Sequence, residues 1–177
     1  METNMNKILL ASVAIVAALS TSARAEATWA WAGNWRIYSD RNYCGATVNY
    51  GRQGKAIVIG EGKAGWALTI GGVNGRNGHW YKVKVRSSNG QYGTFQGYYS
   101  NSAITFGNLD MTSIVALAAS QGITISGIGS FDLTNSSNAI MQVHQCWTAM
   151  TSAYSRNNNN SDGGMIDQGV DNSGESY

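Results

Sequence analysis

Apolar and polar positions along the chain fall into three regimes. Between residues 35 and 106 they alternate in short runs broken by glycine-rich turns, and between 110 and 150 they recur three and four apart. Beyond Tyr154 apolar residues become sparse. Period two belongs to strands with one buried face, and the three-four spacing belongs to helices laid on a core. The alternating region predicts seven strands, at residues 35–39, 44–50, 56–60, 66–70, 80–86, 91–99 and 103–106. Asn89-Gly90 is a strong hairpin signal between the fifth and sixth. Crossover helices are missing there, so an antiparallel meander is expected and a doubly wound parallel sheet is not.

Asp110 reads as the N-cap of a helix over 111–121, with Ile114, Val115, Leu117 and Ala118 as its apolar stripe and Gly122 as its C′ residue. Residues 123–126 and 131–133 read as two further short strands. A second helix is expected to open at Ser136 or Ser137. Its buried face would carry Ala139, Ile140, Val143, Cys146, Trp147 and Met150. The polar stretch 154–177 holds too few apolar residues to bury and is expected to be a disordered tail. The fold class is therefore α+β: a mainly antiparallel sheet of about seven to nine short strands with two late helices.

The N-terminus changes the picture from a cytoplasmic to an exported one. Lys7 precedes twelve mostly apolar residues, 8–19, and then an Ala-x-Ala exit at Ala23-Arg24-Ala25. This is the grammar of a secretory signal peptide, 1–25, cut after Ala25. Twelve apolar residues fall short of the roughly twenty that span a bilayer, so no stable membrane insertion is expected. A single globular domain over 26–153 follows, periplasmic or secreted. Cys44 and Cys146 are the only cysteines, and in an oxidising compartment one bridge between them is the simplest pairing.

Charge is nearly balanced overall and unevenly placed. Nine Lys and Arg lie between Arg36 and Arg86 against only Asp40 and Glu61, while the tail is acidic. In the run 81–86, alternation sends Lys82, Lys84 and Arg86 to one face and Tyr81, Val83 and Val85 to the other. Aromatic residues on the returning strand, Tyr92, Phe95, Tyr98 and Tyr99, lie close enough to share a surface with these cations. Trp29 and Trp31 precede the first clear strand and read either as one more strand face or as an exposed interface.

Residues 131–146 carry a resemblance. The pattern Phe131-x-Leu133-x-Asn135-Ser136-x-x-Ala139-Ile140-x-x-Val143-x-x-Cys146 resembles the ending of a family of small secreted alphaproteobacterial proteins. Those proteins typically end Phe-x-Leu-x-Gly-Ser-x-x-Ala-Leu-x-x-Leu-x-x-Cys. Gly65-Trp66-Ala67-Leu68 is similar to a further strand of that family, and Asn135 stands where it usually has glycine. The resemblance implies an exported, disulfide-closed domain and brings no assigned activity or catalytic residue. Size, export and the cysteine pair alone are also similar to the invasion-associated locus B family.

Catalytic and metal signatures are sparse. His79 and His144 have no further ligand type at metal spacing in their own segments, so no metal or cofactor is expected. Glu61 with Asp110 or Asp132 is the carboxylate pair available for glycoside hydrolysis. Each has a plainer role, Glu61 in a turn, Asp110 as a cap and Asp132 as an outward strand residue. No nucleophile elbow, P-loop or dinucleotide fingerprint occurs. The reading is a non-catalytic exported binding protein with Lys82, Lys84, Arg86, Trp29 and Trp31 as candidate binding residues. An acidic protein or an envelope polymer is the expected partner, and nucleic acid is not. The alternatives are an inhibitor of an envelope-directed lysozyme or protease, and a hydrolase whose site is dispersed in sequence.

Overall fold

The computed structural model describes residues 27–159. The expected signal peptide, 1–25, and most of the expected tail, 160–177, lie outside the described residues. Ten strands form one antiparallel sheet. They are β1 (Ala27–Ala32), β2 (Trp35–Asp40), β3 (Tyr43–Tyr50), β4 (Lys55–Gly62) and β5 (Gly65–Gly71), then β6 (His79–Ser87), β7 (Tyr92–Ser100), β8 (Ala103–Leu109), β9 (Gly122–Ile125) and β10 (Gly129–Asp132). Helix α1 (Met111–Ala118) lies between β8 and β9, and α2 (Ser136–Asn159) follows β10. The body of the fold ends at Trp147, and the rest of α2 from Thr148 belongs to a separate compact unit. Among the described residues no helix is long and apolar enough to cross a membrane.

The α+β class holds, and β1 brings the strand number above the expected seven to nine. Order along the sheet is β1-β2-β3-β4-β5-β8-β7-β6-β9-β10. The first five strands are the expected meander. The next three are inserted in reverse, which is a Greek-key step. The chain makes that step through the glycine-rich segment 72–78, pinned to the β7–β8 hairpin. Val73 N–H donates to the Ser102 carbonyl and Gly78 N–H to that of Tyr99, while the Tyr99 hydroxyl donates to the Val73 carbonyl. Gly75 sits against the Tyr99 ring, where a Cβ would stand 2.6 Å from Cδ2. No bound phosphate is needed to explain these glycines.

So many twisted strands cannot remain flat. The sheet curls until β10 reaches the far end of β3. There the Tyr50 hydroxyl donates to the Asp132 carbonyl, and the Tyr50 and Phe131 rings meet edge to face with centroids 5.3 Å apart. Burial in this closure, with the Asp132 charge beside it, pushes the Tyr50 phenol up to about 12. The inner face carries Ile37, Ala46, Ile59, Leu68 and Phe106, in register across β2, β3, β4, β5 and β8, and all are buried. Gly97 on β7 faces the same core, and a Cβ there would lie 2.6 Å from Ile104 Cγ1 and 2.8 Å from Phe106 Cε1. Gly97→Val is expected to overpack this point and cost about 1–3 kcal/mol in urea unfolding. An unchanged midpoint would show that both neighbours give way.

Helix α1 is capped as expected: the Asp110 carboxylate accepts from Ser113 N–H at 2.7 Å. It stops at Ala118 rather than at Gln121, and Val115 is exposed while Ile114 and Leu117 are buried. The terminal carbonyls find partners without a glycine. Ser120 Oγ donates to Ala116 and Ser120 N–H to Leu117, which leaves Gly122 free to open β9.

The stretch 131–146 shows why its spacing matters. Phe131, Leu133, Ala139, Ile140, Val143 and Cys146 are all buried. Asn135 precedes the helix in the left-handed region, with φ of 67°, a conformation that suits Asn or Gly. Its carbonyl accepts from Ala139 N–H. Ser136 begins α2, but its buried hydroxyl donates to the Leu117 carbonyl and so ties the two helices together. Cys146 reaches Cys44 on β3 in the expected disulfide, with Cα atoms 6.0 Å apart.

Candidate functional site

Register across β6, β7 and β9 places Lys82, Lys84 and Arg86 in one row on the outer face of the sheet. Gln96, Thr94 and Tyr92 stand opposite them on β7, and Thr124 continues the row of Arg86 on β9. All three cations are exposed, and among the described residues none forms an ion pair within 4.0 Å. Trp80 extends the row at one end, its indole 5.3 Å from the Tyr98 ring, and Tyr92 at the other end is 89% exposed. Phe95 and Tyr99 are on the opposite, inner face. The surface that results is a strip of three cations bounded by aromatic groups at both ends.

Trp29 and Trp31 lie on β1, an edge strand of the sheet. Trp29 falls in a break of register between Thr28 and Ala30, so it has no partner on β2. Both indoles are exposed. A bulge on an edge strand turns a side chain outward and blunts pairing with another chain. Trp31 also borders a hollow of about 400 Å³ whose polar members include Asn34, Asn49 and Asp132.

The structure gives the acidic residues and histidines separate surroundings. His144 Nδ1 lies 2.9 Å from Glu61 Oε2, a pair that links α2 to β4 and in which the imidazole is exposed and the carboxylate largely covered. His79 opens β6 opposite Tyr99. Hydrogen bonds from Ser113, first from its side chain and then from its backbone N–H, hold the Asp110 carboxyl below the usual range. Thr134 does the same for Asp132 through its hydroxyl at 2.6 Å and its N–H at 2.8 Å. Among the described residues no three His, Cys, Asp or Glu side chains gather as a metal site.

A cavity of about 430 Å³ opens between α1 and the inner face of β5 to β9. Leu68, Phe106, Leu117 and Ile123 are its buried floor, and Val85 and Phe95 are part of its wall. Its exposed rim includes Gln91, Tyr92, Asp110 and Thr112.

The chain matches no protein-family model, no curated protein and no solved structure.

Sequence periodicity placed the cations of β6 on one face, because that property is local to the strand. It missed the cavity, whose lining comes from residues 68 to 123 and depends on the Greek-key step. The Glu61–His144 pair was likewise invisible, since 83 positions separate its members.

Proposed function

We propose that the protein is an exported, non-catalytic binding protein of the cell envelope or extracellular space, and that the β6–β7 outer face contacts an acidic partner. The observation that supports this reading is the row Lys82, Lys84 and Arg86, exposed and without ion pairs among the described residues. A solvated strand face usually intersperses charges of both signs, whereas this one presents cations alone between Trp80 and Tyr92. Cations held on a rigid strand attract an acidic surface over a Debye length of about 8 Å at physiological salt. The flanking aromatic groups then offer apolar contact area at low entropic cost.

Replacing Lys82, Lys84 and Arg86 together by Gln is expected to weaken binding to immobilised polyglutamate by about tenfold, from three exposed pairs of a few tenths to one kcal/mol each. Unfolding stability should change by no more than about 0.5 kcal/mol per site, because outward charges hold little of the fold together. Wild-type binding should also fall with added salt. Binding indifferent to both salt and the triple substitution would overturn the assignment and transfer the interface to Trp29 and Trp31.

A further inference from the structure

The cavity beneath α1 shares Tyr92 at its rim with the end of the basic strip, but Lys82, Lys84 and Arg86 are not among its lining residues. Its volume of about 430 Å³ lies in the range of small-molecule sites, about 300–1,000 Å³, and its make-up is theirs as well: an apolar interior with a few polar groups at the opening. The floor belongs to the core and is preformed, since Leu68, Phe106, Leu117 and Ile123 are all buried. Phe95 stands edge to face against Phe106, centroids 6.4 Å apart, so the wall is braced as well.

The rim decides which molecules fit. Among its described lining residues there is no Lys, Arg or His, and Asp110 is the sole charged side chain. That carboxylate stays ionised, held by the Ser113 hydrogen bonds that cap α1. An anionic head group would meet a fixed negative charge with no compensating cation. Gln91, Thr112 and Ser113 offer neutral hydrogen-bonding groups instead. We propose that this cavity binds a small molecule with an apolar body and a neutral, hydrogen-bonding end, such as a long-chain alcohol, and discriminates against the corresponding carboxylate.

The test uses the purified protein and the neutral fluorophore N-phenyl-1-naphthylamine, whose emission rises and shifts to the blue in an apolar site. Displacement by 1-decanol is compared with displacement by decanoate at pH 7. Decanol should displace the probe at a concentration at least about tenfold lower, a difference worth about 1.4 kcal/mol. Asp110→Asn should narrow that gap several-fold, and Asn is as good an N-cap as Asp, so α1 is retained. Ala116→Trp should fill the cavity and abolish the probe signal, while Lys82, Lys84 and Arg86 to Gln should leave it unchanged. The proposal is overturned if the wild type gives no probe emission, or if decanoate competes as well as decanol. It is equally overturned if the preference persists unchanged in Asp110→Asn, an outcome that reads out even where Ala116→Trp fails to fold.

Discussion

Replacing Cys44 and Cys146 together by alanine is expected to lower stability by about 4–5 kcal/mol, the value for a bridge closing a loop of about one hundred residues in the chain-entropy model. The two residues are 102 apart in sequence, so the bond removes a large share of the freedom of the unfolded chain. It also fastens α2 to β3, an element met about a hundred residues earlier. Both cysteines are fully buried, so the double substitution adds a loss of packed sulfur to the loss of the cross-link. For a domain of this size such a change corresponds to a fall of roughly 10–20 °C in melting temperature. The oxidised protein should weigh about 2 Da less than the reduced one, the two hydrogens lost in forming the bond. A double-alanine variant within about 1 kcal/mol of the wild type in urea unfolding would contradict this account.

Trp35→Ala should be nearly as damaging, at about 3–5 kcal/mol for truncating a large buried aromatic residue. Trp35 begins β2 and is 1% exposed. Its indole N–H donates to the Thr134 carbonyl at 2.9 Å, in the turn that joins β10 to α2. One side chain thus fills the core and fixes the approach to the helix that bears Cys146. Trp35→Phe separates the two contributions. It keeps most of the apolar contact and leaves a carbonyl without its donor, for an expected cost of about 1–3 kcal/mol. Equal losses for Ala and Phe would assign the whole effect to the hydrogen bond and refute the packing argument.

These two sites also show how unevenly the fold was legible. The disulfide followed from a count of two cysteines and the expectation of export. The buried positions Ala139, Ile140, Val143 and Cys146 of α2 followed from its three-four spacing, while Trp147 and Met150 on the same stripe are only half-buried. Ile114 and Leu117 on α1 were found in the same way, but Val115 was assigned inward and is exposed. A helix of only two turns buries a narrow stripe, and sequence spacing does not show where that stripe ends. Ser136 opens α2 as the sequence pattern predicts, but its hydroxyl donates to Leu117 of α1. Its partner is set by how the two helices meet, which no local pattern records. Trp29 was one of an alternating pair in sequence, yet a register break isolates it on the edge strand.

The sequence by itself determined which face of each strand and helix is apolar, where the chain turns, and which two sulfurs can join. Those properties come from dihedral preferences and side-chain periods that act over a few residues. Only the tertiary structure decided that β8 rather than β6 lies beside β5, that the sheet curls until Tyr50 meets β10, and that an apolar cavity remains beneath α1. Each of these depends on elements far apart in the chain finding a common packing, in which sheet twist and side-chain volume act together.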